Sequence, residues 1–304
     1  MRTVYLGTSD FAVDVLRPLA SSRHTPQLVV TPPDRPKGRG RKTAAPPAAT
    51  AAREVGLPVL QAESVNTPEA IAAIEEASPE AIVVCAFGQL IREPLLSRWL
   101  MLNVHPSLVP RWRGAAPIER TLMAGDEETG VTILRVTEGL DSGPVAACET
   151  MPVEPTDTRG TLGKRLSTVG ARLLIDALDR AEAGTLAFTD QGEEGVAYAD
   201  KIDPAERRLD PGRSAAELAR VVRALTPGVG AYVELDGGER LGIEDARSVA
   251  DQASPGEVAV SDGRLIVGTR EGALELLLVK PAGRRAMPAA DYLRGHTPAG
   301  RVAR

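Results

Sequence analysis

The chain is poor in the residues that staple folds, ligate metals or anchor in lipid. Its 304 residues include two cysteines, Cys85 and Cys148, far apart and in no metal-binding spacing. That excludes a disulfide framework and a cysteine-based zinc site. Both thiols read as small buried apolar residues in a reducing compartment, so a cytoplasmic location and no metal are expected. No apolar run reaches the roughly 18 residues needed to cross a membrane. The first residues, Met1 to Gly7, enter a strand pattern at once and lack the charged start, apolar stretch and cleavage site of a signal peptide. Glycine-rich phosphate loops are missing too. Gly7-Thr8-Ser9 is not G-x-G-x-x-G, and no G-x-x-x-x-G-K-[ST] occurs, which argues against dinucleotide and P-loop chemistry. Histidines number three: His24, His105 and His296. An excess of positive charge is also lacking. With 36 Lys+Arg against 41 Asp+Glu the net charge is −5, so global charge does not announce a nucleic-acid binder. The deficit lies in residues 1–199, because residues 200–304 hold 16 of each sign. The C-terminal third is therefore the relatively basic part.

What is present is ordinary for a globular protein: 43% apolar and 25% charged residues over a length that suits two domains. The first two-thirds alternates apolar strands with amphipathic helices. Strands are expected at 3–6, 27–31, 81–86, 102–105 and 130–136. Helices are expected at 11–20, 48–55, 68–77, 94–99, 115–124 and 161–183. This order predicts an α/β fold with a doubly wound, mostly parallel, Rossmann-like sheet, whose crevice lies at the carboxyl ends of the strands. After about residue 187 the chain turns polar, and 188–206 reads as a linker. One helix follows at 214–225. Short alternating runs at 231–235, 240–246, 256–261, 264–269 and 274–279 come next, separated by Asp-Gly and Glu-Gly turns. They predict a small C-terminal β-barrel of OB-like type. The expected domains are thus 1–187 and 207–304. No internal repeat is present.

Two loops and one polar constellation carry chemical information. Residues 32–47 hold Arg35, Lys37, Arg39, Arg41 and Lys42 against a single acid, Asp34, with enough Pro and Gly to forbid a helix. Composition alone fits either a mobile solvated loop or a flexible arm for a phosphate backbone. In the second loop, Trp112 stands between Arg111 and Arg113, where it either stacks on a base or anchors the loop. The constellation begins at the end of an apolar strand, where Asn103 and His105 fall on one face by strand periodicity. Asp141 follows in a Gly-flanked turn, GLDSGP. Amide, imidazole and carboxylate suit acyl transfer to an amine: two groups to stabilise an oxyanion, one to orient the imidazole and help move the proton. No nucleophilic Ser or Cys is needed if transfer is direct. Each element alone also has a purely structural reading, a satisfied strand-end His or a turn Asp.

The stretch NVHPSLVPRWRGAAPIER (103–120) resembles the signature of the methionyl-tRNA formyltransferase family, within the folate-dependent formyltransferase superfamily. The resemblance extends over VYLGTSDFAV (4–13), PPDRPKGRGRK (32–42), AFGQLI (86–91), GDEETGVTIL (125–134), GLDSG (139–143), YADKID (198–203) and LLLVKPAGRRAM (276–287). It implies transfer of a formyl group from 10-formyltetrahydrofolate to the α-amine of methionine on initiator tRNA. A monomer is the default expectation, with no membrane attachment because no apolar run is long enough. The implied catalytic residues are Asn103, His105 and Asp141. The implied folate-lining residues are Ser107, Leu108, Val109 and Pro110 together with Phe87, Gly88, Gln89, Leu90 and Ile91. The basic loop, through Arg35, Lys37, Arg39, Arg41 and Lys42, is implied to reach the tRNA acceptor stem, with the C-terminal barrel supporting the RNA. The chain departs from the family pattern at Pro106, Val109 and Pro144, and carries small residues across 226–233 where relatives often have tryptophan. Formyl transfer to a small amine, hydrolysis of the same folate and simple RNA binding are the alternatives. A basic insert and a long β-rich C-terminal segment argue against the first, and the polar trio argues against the last.

Overall fold

The structure, a computed structural model, describes residues 1–37, 42–236, 238–251, 253–296 and 300–302. The elements of the first stretch are β1 (Thr3–Gly7), α1 (Asp10–Ala20), β2 (Pro26–Thr31), β3 (Arg35–Lys37), β4 (Lys42–Ala44), α2 (Pro47–Glu54), β5 (Val59–Gln61) and α3 (Pro68–Glu76). They continue with β6 (Ala81–Cys85), α4 (Leu95–Arg98), β7 (Leu100–His105), β8 (Arg113–Gly114), α5 (Pro117–Ala124), β9 (Glu128–Arg135), β10 (Val145–Pro152), α6 (Arg159–Glu182) and β11 (Tyr198–Ala199). Beyond a 3₁₀ turn at Pro204–Arg207 come α7 (Ala215–Leu225), β12 (Ala231–Glu234), β13 (Arg240–Val249), β14 (Glu257–Ser261), β15 (Arg264–Gly268), β16 (Ala273–Pro281), β17 (Met287–Pro288), α8 (Ala289–Leu293) and β18 (Gly300–Arg301). The chain divides into two compact units. One comprises Met1–Pro117, Glu128–Pro152 and Gly163–Asp200; the other comprises Ile118–Glu127, Val153–Leu162 and Lys201–Arg304.

In the first unit the strands run in the order β10-β9-β7-β6-β1-β2-β5. The five from β7 to β5 are parallel neighbours, while β9 is antiparallel to β7 and β10 to β9. β1 and β6 are buried at every position, as continuous apolar runs covered on both faces must be. Leu6, Ile82, Leu102 and Leu134 are fully buried or nearly so, and each contributes roughly 1.5–3 kcal/mol by leaving water. Helix α6 comes close to the sheet because residue 170 is glycine: a Cβ there would stand 2.7 Å from Cγ1 of Val104 on β7. The strand that carries Asn103 and His105 is thus held from behind, its Val104 side chain seated on the bare backbone of α6 at Gly170.

Some local features bear on the sequence reading. Cys85 is buried beside Tyr5, and burial pushes its thiol up to about 12, so it stays protonated. Cys148 is exposed on β10 rather than buried, because that edge strand alternates half-buried and exposed positions. Within the basic loop β3 pairs antiparallel with β4, Arg35 opposite Ala44 and Lys37 opposite Lys42. Within 188–206 the backbone is paired: Thr189 bridges Val145, and β11 pairs β8 in parallel.

The second unit is built on an antiparallel sheet in the order β12-β13-β16-β15-β14-β18. An antiparallel bridge between Leu235 and Val302 joins its two edges, closing it as a small barrel. Bulges at Ile243/Asp245 and Asp245/Ala246 bend β13, the kind of irregularity that curves a sheet onto itself. The barrel core includes Val233, Leu241, Ile243, Leu265, Leu274 and Leu276, and the apolar stripe of α7 (Leu218, Val221, Val222, Leu225) packs into it. Ser214 and Glu217 close the start of α7 as a capping box, each side chain bonded to the other's backbone N–H.

That box makes an acid-sensitive bond. The Ser214 backbone N–H, then its hydroxyl, hold the Glu217 carboxyl at about 2 against an ordinary 4.5. A lowered folded-state value stabilises fully above 4.5, and the gain is lost as pH falls toward 2. Comparing urea midpoints at pH 7 and pH 3, the parent should lose more stability than Glu217→Gln. Equal losses would remove the box from the acid response.

Candidate active site

Strand β7 ends with Asn103 and His105 directed to one side, Asn103 partly exposed and His105 buried (3% accessible). After β9 the loop 136–144 folds back over this face. There Asp141 accepts a hydrogen bond from Asn103 Nδ2 to one carboxylate oxygen, and from the backbone N–H of Gly114 to the other, both at 2.9 Å. His105 Nδ1 faces the second oxygen at 3.6 Å, beyond hydrogen-bond length. On the opposite edge of the ring, Nε2 stands 2.9 Å from the carbonyl oxygen of Trp112. A carbonyl only accepts, so Nε2 carries a hydrogen, and the neutral ring presents a bare Nδ1 toward Asp141. Protonation of Nδ1 turns that facing pair of acceptors into a charge-assisted donor and acceptor. The arrangement can therefore take up one proton and balance its charge on the spot. Asn103 keeps a second amide hydrogen free of Asp141 for an oxygen that turns negative.

Holding these groups requires unusual backbone. Ala86, Trp112 and Asp141 adopt φ of 45°, 63° and 45°, left-handed values that cost a non-glycine residue about 1–3 kcal/mol each. At Gly143 a Cβ would come within 1.9 Å of the Arg135 carbonyl, so the loop can lie on β9 only with glycine there. Gln191 bonds to both the loop and the β8 segment: Nε2 donates to the carbonyls of Asp141 (2.9 Å) and Gly143 (2.7 Å), while Oε1 accepts from Arg113 Nε (3.0 Å) and Nη2 (2.6 Å). Sequence reasoning misses Gln191, the Trp112 carbonyl and the Gly114 N–H. Main-chain groups carry no residue-type signal, and Gln191 sits in a polar stretch with nothing local to mark it.

The remaining sequence-predicted residues divide by environment. Ser107 is fully buried; its hydroxyl donates to the Arg111 carbonyl (2.7 Å), and its own carbonyl accepts from Thr132 (2.7 Å). Leu108, Val109 and Pro110 are half-buried in the turn this bond closes. In 86–91, Phe87 and Ile91 belong to the core, and the Phe87 carbonyl accepts from Thr8 Oγ1. Gln89 is half-buried and spent on the backbone of Val65 and Ala62. Gly88 is exposed, and Leu90 is 61% exposed. Arg35 is exposed on β3; Arg39, Arg41 and the side chains of Lys37 and Lys42 lie outside the described residues. Among the described residues no group of three His, Cys, Asp or Glu side chains could hold a metal ion, and no helix is long and apolar enough to cross a membrane.

Residues 1–178 match the profile of the formyl transferase family, and residues 201–297 match that of the formyl transferase C-terminal domain. The chain belongs to the formyl transferase family. Among relatives of this formyl transferase, the methionyl-tRNA formyltransferase of Halorhodospira halophila is 44% identical over 304 aligned residues, covering 97% of this chain and 96% of that protein. That of Methylococcus capsulatus is 42% identical, covering 99% of each. Solved structures share the fold. HypX from Aquifex aeolicus in complex with tetrahydrofolic acid superposes with a TM-score of 0.67 at 21% identity, over 96% of this chain and 47% of that one. Methionyl-tRNA formyltransferase from Clostridium thermocellum gives 0.58 at 13% identity, over 82% and 94%.

The burial of Ser107 yields a prediction for this formyl transferase. Ser107→Ala should lower the unfolding free energy by about 0.5–1.5 kcal/mol, the net contribution of the hydrogen bond to the Arg111 carbonyl. An unchanged urea midpoint would show that the bond holds nothing.

Proposed function

We propose that this protein transfers the formyl group of 10-formyltetrahydrofolate to the α-amine of methionine on initiator tRNA, by direct attack of the amine on the formyl carbon. The reading rests on likeness along nearly the whole chain, both units included, to relatives named for that reaction. The donor set at the end of β7 suits the co-substrate: an amide N–H for a carbonyl oxygen, a ring nitrogen for a proton and a carboxylate for the resulting charge. When bound, the folate supplies an activated formyl carbon on a nitrogen that can leave. Asn103 donates its second amide hydrogen to the formyl oxygen as negative charge develops there. His105 Nδ1 accepts the proton that the amine releases, Asp141 balances the imidazolium, and the same nitrogen returns the proton to the departing nitrogen. Exposed Leu90, beside the open backbone of Ala86 and Gly88, and the 107–110 turn are the surfaces assigned to the folate.

The tRNA contact is assigned to the basic loop, through Arg35, Lys37, Arg39, Arg41 and Lys42, with the barrel of the second unit supporting the RNA. Phosphate contacts of this kind weaken with salt. The compartment is the cytoplasm, where initiator tRNA is charged, and the working form is a monomer.

The test mixes the protein with 10-formyltetrahydrofolate and either methionyl-initiator tRNA or free methionine. Formyl-methionine should form only on the tRNA. Folate turnover that ignores the tRNA would replace the reading with hydrolysis or transfer to a small amine. His105→Ala and Asp141→Ala should each cost at least about 100-fold in turnover while tRNA binding persists. Near-normal turnover in either variant would end its role assignment.

A further inference from the structure

The carboxylate of Asp141 points at Asn103, Gly114 and His105 only while its backbone stays left-handed, with φ 45°. One side of that loop is fixed by contact, because Gly143 lies against the Arg135 carbonyl with no room for a Cβ. The other side is fixed by Gln191. The direction of its amide is settled by chemistry: a guanidinium only donates and a carbonyl only accepts, so Oε1 must face Arg113 and Nε2 must face the loop. Both amide hydrogens are used, on the carbonyls of Asp141 and Gly143, and both lone pairs are used, on Arg113. Arg113 lies between Trp112, whose carbonyl sets the His105 tautomer, and Gly114, whose N–H holds Asp141. A single half-buried amide therefore ties the Asp141 loop to the segment that orients His105. The bridge of Thr189 to Val145 anchors the chain two residues before it.

We infer that Gln191 is a positioning residue for the reaction, keeping the Asp141 carboxylate registered against His105 and Asn103 by clamping the carbonyls of Asp141 and Gly143. The inference builds on the formyl-transfer reading of the same site. Gln191 touches neither substrate in this role, so its loss should appear in turnover and not in affinity.

The decisive variant is Gln191→Glu. It keeps the volume and both Arg113 contacts, but sets an acceptor against two carbonyls. Turnover should fall about 100-fold, the effect of a small displacement of reacting groups, while KM for folate and for tRNA stays near the parent's and the thermal midpoint drops only as far as the lost hydrogen bonds require. Gln191→Met, which removes the donors and the Arg113 acceptor without adding charge, should show the same loss of turnover at an unchanged KM. Turnover of Gln191→Glu within twofold of the parent overturns the inference. So does a Gln191→Met enzyme near the parent level, which would trace the first loss to the introduced charge. A fall confined to KM or to thermal stability overturns it as well. If the parent releases formate without using tRNA, the formyl-transfer reading fails in the parent itself, and the variant-to-parent ratio is then read on formate release.

Discussion

The site depends on one carboxylate accepting two hydrogen bonds. Asp141 takes an amide hydrogen from a strand side chain and a backbone N–H from the following loop, so three segments distant in sequence meet at two oxygen atoms. Without it Asn103 and His105 would still share a face of β7 and Gln191 would still join the 112–114 segment to the 139–143 loop, but nothing would balance charge on the ring or fix the Asn103 amide. A partly buried network of this kind is coupled, because each member left unsatisfied carries a desolvation cost. The two left-handed residues Trp112 and Asp141 mark where the surrounding bonds hold backbone away from its preferred state.

The sheet supplies the rigidity this network needs. β7 lies between β6 and β9 and is backed by α6 at Gly170, so the strand end is fixed before any side chain is placed. The change of direction at β9 also matters. An antiparallel neighbour can return its loop over the face of β7, whereas a parallel one would carry its loop onward from the strand ends. The polar turn after β9 thus arrives above Asn103.

Much of this could be read from the sequence. The apolar runs of β1, β6 and β7 and the shared face of Asn103 and His105 follow from strand periodicity, and the Gly-flanked turn around Asp141 announces a constrained carboxylate. The parts that escaped are those whose cause is not local. β10 is an edge strand with a wet face, so its pattern is faint, and Cys148 lies on it exposed. The pairing of β3 with β4 hides behind Pro, Gly and charge that read as a loop. Gln191 looks like any polar residue of a connecting stretch until the fold brings it to two carbonyls and a guanidinium. Ser107 and Phe87, named by motif, have internal contacts that no motif could state: a hydroxyl bonded to the Arg111 carbonyl and a ring in the core.

The bond between His105 Nε2 and the carbonyl of Trp112 bears on how such a site tolerates sequence drift. Had a side-chain carboxylate fixed the ring, one substitution could reverse which nitrogen holds the hydrogen. A main-chain oxygen is present whatever side chain occupies position 112. The chemical identity of the basic nitrogen is therefore insulated from point changes at that position and exposed only to changes that move the backbone, which places the vulnerability of the site in its glycines and turns.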